Sequence, residues 1–259
     1  MSDLTTPTPQ ENKLFSHRTL RLLIGFVAFL LPITVLLLAD AKLPSISAHY
    51  YSEGGDVFVG MLFVVGALMI AYNGNKPKLD SLPFLRILNE SVASKTAGAA
   101  AFCIALFPAS PPNSIVDPTV TELLIKYSST GSDSPWVHTV HYLAAFTMFS
   151  ILAYFCFGPF RNNFENLDSV KEGRRSRIYL ICGWIIALSI LAIGVEKLLI
   201  YFYPPLAGIF DELQLTLWAE WIALGAFGVA WITAGKIIPY LTANEELLIR
   251  WGVSKEKTV

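Results

Sequence analysis

The polar side chains that interrupt the apolar stretches of this chain are few, and most stand near one end of those stretches. Ser45, Ser47 and His49 occupy LPSISAHYYSEGGD ahead of Asp56, His138 and His141 open WVHTVHYLAAF, Glu196 and Lys197 close a third stretch, and Glu220 sits alone in LWAEWIALGAFGVAW. His138 and His141 are three residues apart, which on a helix places them on one face within about 6 Å of each other. Two imidazoles so placed, with a carboxylate from another helix, could hold a metal such as zinc by three ligands and leave a position for water. The same pair beside Trp136 also suits headgroup level, hydrogen-bonded to water and lipid. Asp56 follows Gly54-Gly55, the place of a helix N-cap whose carboxylate takes up orphan amides. An aspartate there can still orient a histidine. Glu220 is costly in an apolar run, by about 3 kcal/mol at mid-membrane. It needs a partner: a histidine, Lys197, or its own proton. Glu196 and Lys197 are sequence neighbours and point to different helix faces, so at most one is expected inside; Lys197 suits snorkelling.

The elements that must position these residues follow from composition. With 54% apolar and 15% charged residues and a mean hydropathy of +0.52, the chain lacks the surface of a soluble domain, which takes about a quarter charged residues. A membrane-crossing helix needs roughly 20 apolar residues. Such windows fall at residues 20–41, 56–73, 92–109, 136–158, 178–200 and 215–238. The expected fold class is therefore all-α: a polytopic membrane protein, a six-transmembrane-helix bundle forming one domain over residues 16–240. A disordered arm (1–15) precedes it and a tail (241–259) follows.

Basic residues set the orientation. His17, Arg18, Arg21, Lys76, Lys78, Arg86, Lys95, Arg161, Lys171, Arg174, Arg175, Arg177, Arg250, Lys255 and Lys257 fall on one side, and only Lys42 and Lys126 lie in loops of the other. Both termini are thus expected in the cytoplasm, in an integral, multi-pass protein of a plasma or inner membrane. No cleavable signal is expected, because the first 18 residues are polar and the first span is longer than a signal core. All three cysteines, Cys103, Cys156 and Cys182, lie in spans without CxxC spacing and read as packing residues. The net charge of -1 averages two unlike faces and carries no nucleic-acid signal.

The polar candidates all fall in the outer third of the spans. The remaining depth carries almost no ionisable side chain, which argues against a transmembrane relay and for a pocket opening to the outer leaflet. Pro32 should kink the first span and free a carbonyl. RNNFENLDSVKEGRRSR reads as a solvated loop, VTELLIKY as a short surface helix, and the small residues Gly225, Ala226, Gly228, Ala230, Ala234 and Gly235 allow close helix approach. That last feature makes the sixth span central and offers a seam for a homo-oligomer.

Two family resemblances bear on function. LPSISAHYYSEGGDVFVGMLFVVGALM, the histidine start HYLAAFTMF, the Glu-Trp of AEWIALGAFG and the tail NEELLIR, in that order over residues 20–250, resemble the DRAM/FRAG/Sfk family. That resemblance implies a six-span protein linked to lipid remodelling, phospholipid asymmetry or autophagy, with Ser45, Ser47, Asp56, His138 or His141, and Glu220 as the residues of interest. Ser45 and His49, four apart, with Asp56, are also similar to the CREST hydrolases, in which they would share a zinc site with a later HxxxH. This chain has HxxH instead and lacks the seventh span, which leaves that zinc geometry without its second histidine pair.

The leading expectation is a lipid-interacting protein needing no cofactor, whose outer pocket is lined by Ser45, Ser47, Asp56, His138, His141 and Glu220. The alternatives are a metal-dependent lipid hydrolase or acyl transferase, with His49, His138 and His141 as ligands and Asp56 or Glu220 as catalytic base, and a scaffolding protein with no ligand. Glu220 is expected to face inward and to pair with His138, His141 or the Asp56 region.

Overall fold

The computed structural model describes residues 17–39, 43–74, 89–110, 135–162 and 169–242, and all regular structure among them is helical. The long helices are α1 (His17–Leu38), α2 (Gly55–Ala71), α3 (Glu90–Leu106), α4 (Pro135–Phe157), α5 (Ser169–Phe202) and α6 (Leu215–Ala234). Short helices at Pro159–Asn162 and Ala207–Leu213 and 3-10 turns at Ser47–Tyr51 and Pro204–Leu206 complete the described elements. Four stretches, His17–Leu38, Trp136–Arg161, Val170–Phe202 and Leu215–Ala234, are long and apolar enough to cross a membrane, and Gly55–Ala71 is apolar but shorter. Large apolar side chains cover their outward faces, among them Leu37, Leu143, Phe146, Ile181, Leu191 and Trp218. Exposed apolar surface on so many helices is compatible with an integral membrane location. The expected arm, the VTELLIKY helix, the tail beyond Thr242 and Lys42, Lys76, Lys78, Arg86 and Lys126 lie outside the described residues.

Each long helix packs on its neighbours in sequence, and α6 returns to α1, so the six close into a ring, with α4 also touching α6 inside it. Buried apolar residues from every helix fill the centre, including Ile24, Leu62, Ile104, Leu152, Ile186 and Phe227. Two glycine crossings set the closest approaches. A Cβ on Gly98 of α3 would lie 2.6 Å from the Gly66 carbonyl oxygen of α2, and one on Gly228 of α6 would lie 2.9 Å from the Gly25 carbonyl oxygen of α1. Gly228 is therefore spent on a contact within the chain, and this part of the small-residue seam is not available to a second copy. Helix α1 runs through Pro32 without interruption, and the Thr34 hydroxyl just beyond donates to the Leu30 carbonyl at 2.5 Å.

A polar lock closes one end of the ring. Arg21 of α1 donates from Nε to the Tyr72 hydroxyl at 2.9 Å and from Nη1 to the Ala234 carbonyl of α6 at 3.4 Å. The Tyr72 hydroxyl donates to Glu90 Oε2 of α3 at 2.9 Å, and Arg21 Nη2 stands 3.5 Å from the same oxygen. The guanidinium also lies over the rings of Tyr72 and Phe160. The sequence reading assigned Arg21 to topology alone; in the structure it is buried and ties α1, α2, α3 and α6 together. The reading of RNNFENLDSVKEGRRSR as a solvated loop is also corrected, because α5 begins at Ser169 and runs 34 residues, about 50 Å at 1.5 Å per residue. Glu172 and Arg175 in that first part are buried, Lys171 donates to the Thr242 carbonyl at 2.9 Å, and Arg174 stacks over Tyr240 at 4.3 Å. These basic heads find carbonyls and an aromatic face on the segment after α6, which holds the extension helical.

The glycine crossing generates a direct test. Gly98→Val should cost roughly 1–3 kcal/mol through overpacking against the α2 backbone, measured as loss of thermal stability of the full chain in detergent. Gly60→Val is the control, since nothing lies within 4 Å of the Gly60 position, and it should leave stability unchanged. Equal melting temperatures for the two variants would show that α2 and α3 are not this close.

Candidate functional site

The opposite end of the ring is built on the segment between α1 and α2. Pro44 prevents α1 from simply continuing, and the Ser45 hydroxyl accepts the Ala48 N–H at 2.9 Å, which starts the turn Ser47–Tyr51. The Tyr51 hydroxyl then donates to the Ala109 carbonyl at 2.7 Å and pins that turn to the exit of α3. There Pro108 stops the helix and leaves carbonyls without helical partners. His141 Nδ1 pairs with the Phe107 carbonyl at 2.7 Å, and His138 Nδ1 with the Pro108 carbonyl at 3.1 Å. Three consecutive carbonyls are thus satisfied by side chains of α4 and of the first turn. Because a carbonyl only accepts, Nδ1 of each histidine must carry the hydrogen, which leaves Nε2 as an acceptor.

Glu220 comes from α6 into the same region. Its Oε2 accepts the backbone N–H of Ile46 at 2.6 Å and that of Ser47 at 3.3 Å, and its Oε1 accepts the Ser47 hydroxyl at 3.4 Å. Three donors around one carboxyl suit acceptor-only oxygens. Its bonded partners are loop amides and a hydroxyl, which corrects the expected pairing with His138, His141 or the Asp56 region. The reason is local: a turn that begins at Ile46 and Ser47 has orphan N–H groups, and a carboxylate reaching from the facing helix meets two of them at once.

One turn of α6 earlier, the Thr216 hydroxyl donates to Glu196 Oε2 of α5 at 2.7 Å. Lys197 Nζ turns back to Glu196 Oε1 at 2.8 Å. Glu196 is buried while the Lys197 side chain is 57% exposed, so only one of the two faces the interior, as their adjacent positions imply, although their charged ends meet. The flexible lysine stem allows this, since it reaches around the helix to the neighbouring carboxylate.

These groups surround a cavity of about 710 Å³ enclosed by the 44–48 segment, the exit of α3, α4, α5, α6 and the Ala207–Leu213 helix. Ser45, Ser47, His141 and Glu220 line it together. His138 is not among the lining residues, and Asp56 is exposed in the first turn of α2, where Gly54 and not Asp56 holds the N-cap position. His49 is fully buried, pairs through Nδ1 with the Ser45 carbonyl at 2.8 Å, and leaves Nε2 without a partner among the described residues. Burial pushes the His49 imidazole below its usual 6.5 and keeps it neutral. The expected six-residue pocket is therefore a four-residue one with Asp56 and His138 outside it. Glu196, Lys197, Thr216 and Asp211 join it. Glu196 carried a signal, a carboxylate near the end of an apolar span, but the presence of Thr216 opposite it depends on how α5 and α6 pack.

Among the described residues no three His, Cys, Asp or Glu side chains converge as a metal site. Cys156 and Cys182 are buried as free thiols and Cys103 is partly buried. Compared with known proteins, the chain matches no family model, no curated protein and no solved structure.

The Glu220 contacts predict a graded response. Glu220→Leu should leave the Ile46 and Ser47 amides unmet and cost roughly 1–3 kcal/mol. Glu220→Gln keeps a carbonyl oxygen for the amides and an NH₂ for the serine hydroxyl, and should cost less. Thermal unfolding of both variants in one detergent checks the order; a leucine variant as stable as the parent would mean that these bonds contribute nothing.

Proposed function

We propose that the chain is an integral membrane protein of six spans with both termini cytoplasmic, and that the cavity between the 44–48 segment and α4, α5 and α6 holds a lipid headgroup in the outer leaflet. The cavity itself carries the reading. It combines ionisable and hydroxyl groups, Glu196, Glu220, Lys197, His141 and Ser47, with apolar walls from Ala145, Phe146, Phe149, Ile190 and Ile193. Such a mixture of an apolar pocket and a few convergent polar groups is the make-up of small-molecule sites, and an amphiphile matches both halves. The orientation rests on charge. Arg18, Arg21, Lys95, Arg161, Lys171, Arg174, Arg175, Arg177 and Lys236 gather at the Arg21 end, whereas Lys197 is the one Lys or Arg at the cavity end among the described residues. Although α2 and α3 have 17 residues each, slightly short for a bilayer, they pack on each other and on the longer α1 and α4 on either side. The order of motifs that resembles the DRAM/FRAG/Sfk family is consistent with this lipid reading and supplies no substrate.

Two experiments test it. In a chain whose three cysteines are replaced, a membrane-impermeant maleimide applied to intact cells should label Glu53→Cys and spare the exposed Gly173→Cys; the reverse pattern would invert the topology. Purified full-length protein should retain phospholipid in native mass spectrometry, and Ala145→Trp, which projects a large ring into the cavity, should lose most of it. Equal retention by parent and variant would place the lipid elsewhere.

A further inference from the structure

We propose that the ligand is an ammonium-bearing amphiphile which enters sideways between α4 and α5, ammonium first, an inference that rests on the headgroup reading above. The charge of the lining points to the ammonium. Glu196, Asp211 and Glu220 face a single Lys197, and that lysine is already 2.8 Å from Glu196. The pair is neutral together, so the other two acidic residues of the lining, Glu220 and Asp211, have no basic side chain of their own there. His141, 1% exposed and lining the cavity, has its Nδ1–H committed to Phe107 and holds only an acceptor lone pair on Nε2. Aromatic rings of Tyr142, Phe146, Phe149 and Phe210 also border the space, and ring faces attract ammonium groups. Acceptors and ring faces suit a cation, whereas a headgroup with net negative charge would meet two further acidic side chains and no free cation.

The direction of entry follows from how α4 and α5 diverge. At the Arg21 end they touch: a Cβ on Gly183 of α5 would lie 2.9 Å from Phe157 and 3.1 Å from Cys156 of α4. Eleven residues further along α5, about 16 Å at the helical rise, Gly194 has nothing within 4 Å and lines the cavity. The facing residues of α4 at that level, Tyr142 and Phe146, are 51% and 60% exposed. The cavity therefore reaches the outer surface of the ring between these two helices, where lipid lies in the proposed orientation. Ile190 and Ile193 border the path of the entering amphiphile.

Native mass spectrometry of the full chain in detergent, offered equimolar dioleoyl phosphatidylethanolamine and dioleoyl phosphatidylglycerol, tests both parts. The ethanolamine lipid should be bound about tenfold more than the glycerol lipid, millimolar free ethanolamine should not displace it, and Gly194→Trp should abolish the adduct while melting like the parent. Equal binding of the two lipids, or preference for phosphatidylglycerol, overturns the ammonium assignment and leaves the headgroup cavity standing. No adduct of either lipid overturns the headgroup reading as well. Displacement by free ethanolamine makes a soluble amine the ligand and overturns the amphiphile. Undiminished binding by Gly194→Trp overturns the sideways route, and should that variant not fold, the lipid preference of the parent chain still decides the ligand class.

Discussion

Glu220 accepts the backbone N–H groups of Ile46 and Ser47, and this contact joins the last long helix to the segment between the first two. A carboxyl on an apolar helix cannot be left without donors, because unsatisfied polar groups at membrane depth cost several kcal/mol. A turn entering its first residues has donors to give. Each therefore solves the other's problem, and the turn Ser47–Tyr51 is held over the end of the ring. From that turn Tyr51 reaches the exit of α3, and two histidines of α4 reach the neighbouring carbonyls. The cavity floor and much of its polar lining are consequences of this chain of bonds.

The two ends of the ring meet the same constraint in different ways. At the Arg21 end the polar groups face one another: guanidinium, phenol and carboxylate are stacked among Phe155, Phe160 and Trp231, whose rings lie 5.3–5.4 Å apart. The guanidinium, phenol and carboxylate there use one another as partners. At the Glu220 end several groups are satisfied on one side only, by loop backbone, and turn their other side to an open volume. The glycine crossings help to set this difference, since Gly183 lets α4 and α5 close at one end while Gly194 faces open space at the other.

The histidines show why residue type and spacing alone left alternatives open. His138 and His141, three apart on one helix face, fit either a metal pair or an interfacial role. In the structure both imidazoles spend Nδ1 on consecutive carbonyls just past the end of α3, and only His141 also reaches the cavity. Spacing gave their common face; the position of the α3 exit, set by a different part of the chain, gave their partners. Asp56 is the opposite case. It lies two residues from the right place in sequence, but Gly54 takes the cap and the aspartate turns outward.

Helix positions were legible from the sequence because they depend on local composition: runs of apolar residues, ended by Pro108, Gly158-Pro159 and Pro204-Pro205, place all six long helices to within a few residues at most boundaries. The exception, α5, began nine residues early because its basic residues find partners on the segment after α6, which no local pattern announces. That Glu220 required a partner was equally legible, since the cost of a lone carboxylate in an apolar run is a property of the residue and its neighbours. Which partner it took was not. The amides of Ile46 and Ser47 lie more than 170 positions away in sequence, as remote as the Arg21 contact with Ala234, and only ring closure between α1 and α6 brings them within hydrogen-bond reach. A sequence determines which groups must be satisfied; the packing of distant helices decides which donors and acceptors are near enough to do it, and how much space remains between them.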